Sequence, residues 1–297
     1  MILARIFFII AALAGVATAA DAGKTDPAPK VDVEYRFNAP QPVSRPATGE
    51  DGVQIGLSSY SVKALIPGPT PASQGFAMYG FKYSRMDILD SGWPGAKPDY
   101  IGPLQSFTLD ANFIRPLDGG ARVSAIFALG YHGEASDWGF DAVRLQGGIV
   151  YETGSSGGSQ WGTGLYYAAD FGQPYPLPII TYRRLWDDYR LEVMLPARLF
   201  FWALFPQQRL EAGMGYFVRG NQYHVNEGTA LAANKIRVTS LYVGPSVRWN
   251  PAGPLSIAMD TGSTVYNKFE ALHGDTLIKD LSPKIGWYGA VTVSGRF

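Results

Sequence analysis

The chain contains no cysteine. Disulfides and thiolate metal sites are therefore excluded, and so is a lipid anchor, which needs a cysteine at the first exported position. Charge is scarce too: Asp, Glu, Lys and Arg make up 17 % of the residues, against the ~25 % usual in soluble domains. The 25 basic and 25 acidic residues balance, so no basic footprint for nucleic acid exists. Past residue 20 no apolar run reaches the roughly 18 residues of a spanning helix. A chain this poor in charge and without spanning helices can still cross a membrane as a closed β-barrel, which pairs every backbone group.

What is present fits that architecture. Aromatics reach 13 %, with 17 Tyr, and there are 35 Gly. The start reads as a secretory signal peptide: Arg5, an apolar run from Ile6 to Val16, then the small residues Ala17 to Ala20 ahead of Asp21. Removing Arg5 with it leaves 24 basic against 25 acidic residues, a net charge of −1. The expected organisation is residues 1–20 as signal peptide, 21–30 as a short periplasmic lead and 31–297 as one barrel domain.

From residue 31 onward, apolar and polar residues alternate, the period of a β-strand with two unlike faces. Val31, Val33, Tyr35 and Phe37 alternate with Asp32, Glu34 and Arg36; Phe107, Leu109, Ala111 and Phe113 alternate with Ser106, Thr108, Asp110 and Asn112. The same holds for Leu145 and Ile149 against Arg144 and Gln146, and for Leu210, Met214 and Val218 against Arg209, Glu211 and Arg219. Ile236, Val238 and Tyr242 oppose Lys235 and Arg237, and the last apolar row runs from Ile285 through Trp287, Val291 and Val293 to Phe297. Segments of ~10 alternating residues separated by turn residues are the signature of an outer-membrane barrel. The expected fold is therefore all-β, a transmembrane antiparallel up-and-down barrel of about 12 to 14 strands. The count depends on whether residues 31–37 form a first strand and whether Leu195-Pro196 turns. Pro196 favours an interruption, yet Tyr189 to Phe205 keep one parity throughout, which a two-residue turn would break.

The block Phe171-Gly172-Gln173-Pro174-Tyr175-Pro176-Leu177-Pro178-Ile179, with Asp187-Asp188-Tyr189-Arg190-Leu191 and Met194-Leu195-Pro196-Ala197-Arg198, resembles the shared centre of an uncharacterised bacterial outer-membrane β-barrel family, a domain of unknown function. The resemblance extends from about residue 31 to the C-terminal strand. It implies fold and location, and no catalytic or ligand residue.

On the alternation, Lys82, Asp110, Arg122, Arg144, Glu152, Arg190, Glu192, Arg198, Arg209, Glu211, Lys235, Arg237 and Asp260 should face the lumen, because lipid rejects charge at mid-depth. Such a wall suits a passive porin-like channel for small polar or anionic solutes. The alternative is a structural or envelope-interaction barrel whose lumen is filled by pairs among Arg190, Glu192, Arg209 and Glu211. A hydrolase using His132, His224 and His273 in outer loops is a distant third, since no His-x-Ser accompanies them. Phe107, Phe113, Tyr131, Tyr151, Tyr167, Tyr242, Trp287 and Phe297 are expected at the interfacial girdles. Phe297 is also the expected signal for the outer-membrane assembly machinery, a partner alongside lipid and lipopolysaccharide. No cofactor motif occurs; Gly154 to Gly158 lacks the Lys and the helix of a phosphate loop.

Overall fold

The alternating segments become paired strands in the computed structural model, which describes residues 28–46, 51–69, 75–92, 102–134, 139–154, 158–168, 175–226, 232–251 and 253–297. The signal peptide and most of the lead lie outside the described residues. In chain order the strands are β1 (Lys30–Pro42), β2 (Gln54–Gly68), β3 (Phe76–Ser91), β4 (Leu104–Pro116), β5 (Arg122–Glu134), β6 (Val143–Glu152), β7 (Ser159–Ala168) and β8 (Tyr175–Leu185). There follow β9 (Tyr189–Leu195), β10 (Arg198–Phe205), β11 (Leu210–His224), β12 (Lys235–Trp249), β13 (Leu255–His273), β14 (Thr276–Asp280) and β15 (Gly286–Arg296). Each strand pairs with its predecessor from β2 to β13, and β15 joins β13 to β1, which closes the ring. The result is a closed antiparallel barrel of 14 staves; β14 pairs only with the outer part of β13, at Glu270 to His273.

Both features on which the strand count depended are present. β1 pairs with β2 and β15, and a turn separates β9 from β10. Met194 lies opposite Arg198, so three residues, not two, make the connection. An odd loop returns the chain on the same parity, which is why Tyr189 to Phe205 read as one uninterrupted strand.

Both described chain ends and the turns at Pro206–Gln208 and Asn250–Leu255 lie at one end, the turn end; the longer β1–β2, β3–β4 and β11–β12 connections mark the opposite loop end. In outer-membrane barrels short turns face the periplasm. Across the middle of the barrel the outward residues are apolar and exposed, Leu109, Phe127, Leu129, Ile149, Leu165, Met214 and Met259 among them. Aromatics bound this band. Tyr60, Tyr83 and Phe107 form a contiguous row toward the loop end, with ring centroids 5.9 and 4.9 Å apart. Trp186, Tyr189 and Phe201 cluster toward the turn end.

Beyond the Tyr60–Tyr83–Phe107 row the polarity of the wall inverts. Outward positions there carry ion pairs: Arg85 with Asp87 at 2.9 Å, and Glu270 with Arg237 at 3.2 Å and Lys268 at 2.5 Å. Inward positions carry Ile55, Leu57, Met86, Leu104, Tyr223, Ile236, Val238 and Phe269, which pack into one buried core with the loop residues Val43, Val53, Val225, Ala233 and Leu281. A stave that has left the hydrocarbon stands in water. It follows the rule of soluble proteins, apolar inside and charged outside.

Candidate functional site

The lumen is layered. Outermost is the apolar core just described, which packs between β2, β3 and β4 on one side and β11, β12 and β13 on the other at the loop end. The wall itself draws together there: His224 at the tip of β11 bridges to Gly133 at the tip of β5, although five staves lie between those strands lower down. Glu134 fastens the junction. Its carboxylate is 4 % exposed and accepts the backbone amides of Gly102 at 2.8 Å and Asn226 at 3.1 Å, tying segments next to β4 and β11 to the end of β5.

Below the core lies a layer of arginines and aromatic rings. The Arg36 guanidinium sits 4.9 Å from the centroid of Phe217, 4.8 Å from Tyr242 and 5.7 Å from Tyr288, a cage in which the rings' negative faces stabilise the cation. Phe217 stacks on Tyr242 at 4.8 Å, and Tyr288 meets Tyr242 edge-on at the same distance. Arg219 reaches across the lumen from β11 to Glu34 on β1 at 2.7 Å, while Arg36 approaches the same carboxylate at 3.3 Å. Two guanidiniums thus share one carboxylate, and Arg36 Nη1 is buried without a hydrogen-bond partner. Asp260, the neighbouring acid, accepts from Ser246 Oγ at 2.5 Å.

Trp202 and Phe200 on β10 also face in, Trp202 fully buried. They stack on one another at 5.2 Å, and Arg248 lies 4.1 Å over the Trp202 ring. Their cross-strand partners on β11 are Gly213 and Gly215, whose missing side chains make the space. A Cβ on Gly213 would come within 2.6 Å of the Trp202 ring, and one on Gly215 within 2.8 Å of Phe200. The rings therefore lie flat against the wall instead of across the lumen.

Beneath lies a cavity of about 1580 Å3, lined by charged, polar and apolar side chains, that extends to Lys30, Arg296 and Pro254 at the turn end. Arg190 holds Glu211 in a two-pronged pair (3.1 and 2.7 Å) and Glu192 at 2.9 Å. Arg248 approaches Glu211 at 3.7 Å, and Lys63 pairs with Asp110 at 3.3 Å.

The thirteen charges expected in the lumen divide accordingly. Lys82, Arg190, Glu192, Glu211 and Asp260 line the cavity, and Asp110 stands at its wall through Lys63. Arg122 and Glu152, paired at 2.5 Å, share the inward parity at the turn end. Arg144 points inward near the loop end and donates to the carbonyls of Asp141 and Val143; Arg198 is exposed at the start of β10. Three positions need correction. Arg209 is a left-handed turn residue with φ 53° whose guanidinium donates to the Pro251 carbonyl, so it belongs to the turn end and not to the wall. Lys235 and Arg237 occupy the outward parity of β12, paired with Asp275 at 3.6 Å and Glu270 at 3.2 Å, although Arg237 also borders the cavity. The expectation assumed lipid outside the whole strand, whereas this end stands beyond the hydrocarbon. For the same reason Val238 and Tyr242 face inward, and Tyr242 is no girdle residue.

The histidines sit on strand ends and not in loops. His132 faces into the lumen from β5, buried, with its ring 6.2 Å from Tyr223; His224 ends β11 and His273 ends β13. Among the described residues no group of three or more His, Asp or Glu could hold a metal ion. Phe297 donates its backbone amide to Pro29, and its ring covers Gly295, where a Cβ would approach it to 2.9 Å. The inward Phe200, Trp202 and Phe217 escaped the sequence reading. Gly213 and Gly215, alternating on one face of a strand, were the signal for them.

No protein-family model matches the chain, and no curated protein matches it. Solved structures do. The COG4313 outer membrane channel of Pseudomonas putida F1 superposes with a TM-score of 0.44 and 10 % identity over 94 % of this chain and 100 % of the other. LpxR of Salmonella typhimurium gives 0.40 and 8 % over 90 % and 100 %. The translocator domain of the autotransporter NalP from Neisseria meningitidis gives 0.35 and 11 % over 99 % and 97 %.

Proposed function

We propose that this outer-membrane-type barrel works as a chamber that faces the periplasm and is sealed toward the outside, and not as a freely conducting porin. The observation behind this reading is the apolar core packed at the loop end between β2–β4 and β11–β13: a hydrated ion has no path through Leu57, Leu104, Val238 and Phe269. Small polar or anionic solutes from the turn end fit the paired charges on the wall of the chamber beneath. The proposal includes no catalytic step. Planar-bilayer recording tests it: the native protein should show no steady conductance, and Leu57→Ser combined with Phe269→Ser should introduce one. A steady ohmic conductance of the native protein would overturn the reading.

A further inference from the structure

Among the described residues the ladder of the barrel wall is interrupted at one place. β9 and β10 form a short hairpin whose tip, Leu195 to Ala197, stops well below its neighbours. β8 pairs with β9 only from Ile180 to Leu185, which leaves Tyr175 to Ile179 without a partner on that edge. β11 pairs with β10 only up to Phe217, and Val218 donates its amide to Ala197. Above that point, among the described residues, no strand pairs with β11 on this side until His224 reaches Gly133. At ~3.4 Å per residue the five free residues on the β8 edge frame an opening roughly 17 Å tall.

Unpaired strand edges are costly in lipid, and three residues on these edges lower that cost. Pro176 and Pro178 carry no N–H, and an edge strand is where a Pro can stand with its nitrogen turned away from the ladder. On the β11 edge Val218 points its amide toward the gap, so Gly220 and Gln222 do likewise; Gln222 N–H is taken by the Asn221 side chain at 2.9 Å. The Pro-rich block around Leu177 and the Pro196 turn, which carried the family resemblance, are the two frames of this opening.

The opening leads into the chamber. One continuous cavity is lined by Leu177, Ile179, Leu195, Pro196 and Val218 at the gap and by Arg36, Arg219 and Glu34 behind it. The β8 and hairpin side of the entrance is apolar, whereas Asn221, Thr239, Arg237 and Lys268 border the cavity on the β11 side. The inner end holds two guanidiniums on one carboxylate, with Arg36 96 % buried (4 % exposed) and its Nη1 unpartnered.

We propose that this gap is a lateral entrance, and that the chamber binds a single-chain amphiphile with an anionic carboxylate head arriving from the membrane. The chain lies in the gap against Leu177, Ile179 and Leu195, and the carboxylate accepts from Arg219, the more exposed of the two guanidiniums, in a charge-assisted bond. A volume above the ~300–1,000 Å3 of ordinary ligand pockets leaves room for the chain and for the water that solvates the neighbouring ion pairs. The inference rests on the sealed-chamber reading for its direction, since a lumen closed at the loop end receives a membrane ligand from the side.

The test uses the full barrel in neutral detergent micelles with 11-(dansylamino)undecanoate as fluorescent probe, displaced by dodecanoate or by dodecanol. Binding should be saturable at one site, with dodecanoate displacing the probe about tenfold better than dodecanol. Arg219→Gln should shrink that preference to about threefold or less while Arg219→Lys retains it. Ala197→Trp and, independently, Ile179→Trp fill the gap and should slow probe association about tenfold, whereas Ser256→Trp at the turn end should not. Folding of each variant is read from heat-modifiability, so one gap variant that folds suffices. Absence of saturable binding, equal displacement by acid and alcohol, or unchanged association in a folded gap variant would each overturn the proposal. These outcomes are independent of conductance: a conducting barrel that passes them loses the seal and keeps the site, and a sealed barrel that fails them loses the site alone.

Discussion

Replacing Phe269 by Ala tests the polarity inversion on which the seal depends. Phe269 is 1 % exposed and belongs to the loop-end core. An aromatic side chain buries about 150–250 Å2, and truncating one in a packed core typically costs about 3–5 kcal/mol, because the transfer loss is joined by a cavity that rigid neighbours cannot fill. Those neighbours are strands held on both sides, so little collapse is available. Phe127, 49 % exposed on the lipid face of β5, is the control: lipid chains refill the space, and only the transfer part, about 1.5–3 kcal/mol, is lost. Urea unfolding of the barrel in phospholipid vesicles, followed by tryptophan fluorescence, measures both provided the denaturant slope is unchanged. The expected order is Phe269→Ala more destabilising than Phe127→Ala by about 1–2 kcal/mol. If Phe269→Ala costs under about 1 kcal/mol and Phe127→Ala more, Phe269 faces outward and the sealed loop end is wrong.

The absence of native cysteine makes labelling clean: Arg237→Cys should react with a membrane-impermeant maleimide on intact cells and Val238→Cys should not, and the reverse pattern would invert β12. Gly213→Val drives a side chain into the Trp202 ring and should cost about 1–3 kcal/mol of overpacking, read by the same unfolding assay; no loss would mean that the ring does not lie on Gly213. Glu211→Gln leaves Arg190 with Glu192 alone and should destabilise by about 1–3 kcal/mol, partly recovered in the Glu211→Gln, Arg190→Gln double variant; strict additivity of the two changes would show that they are uncoupled. Deleting Phe297 should lower the yield of folded, heat-modifiable protein in cells, and an undiminished yield would place the assembly signal elsewhere.

Alternation by itself determined that this chain is an antiparallel barrel, because a period of two is a local property that each segment writes independently of its partners. It placed Lys82, Arg190, Glu192, Glu211 and Asp260 on the inner face for the same reason. The strand count stayed between 12 and 14, since an odd, three-residue turn at Leu195–Ala197 preserves parity and leaves no break in the pattern. Alternation also does not say which medium bathes the outer face. Ile236, Val238 and Tyr242 look alike whether lipid or a core receives them, and only the strand register, which stacks Tyr242 on Phe217 and sets it edge-on to Tyr288, turned them inward and Lys235 and Arg237 outward. The cage around Arg36, the Glu34–Arg219 bridge across 185 residues of chain and the gap between β8 and β11 are products of closure. They depend on which strands meet and how far each one runs, and those lengths are set by pairing between segments distant in the sequence.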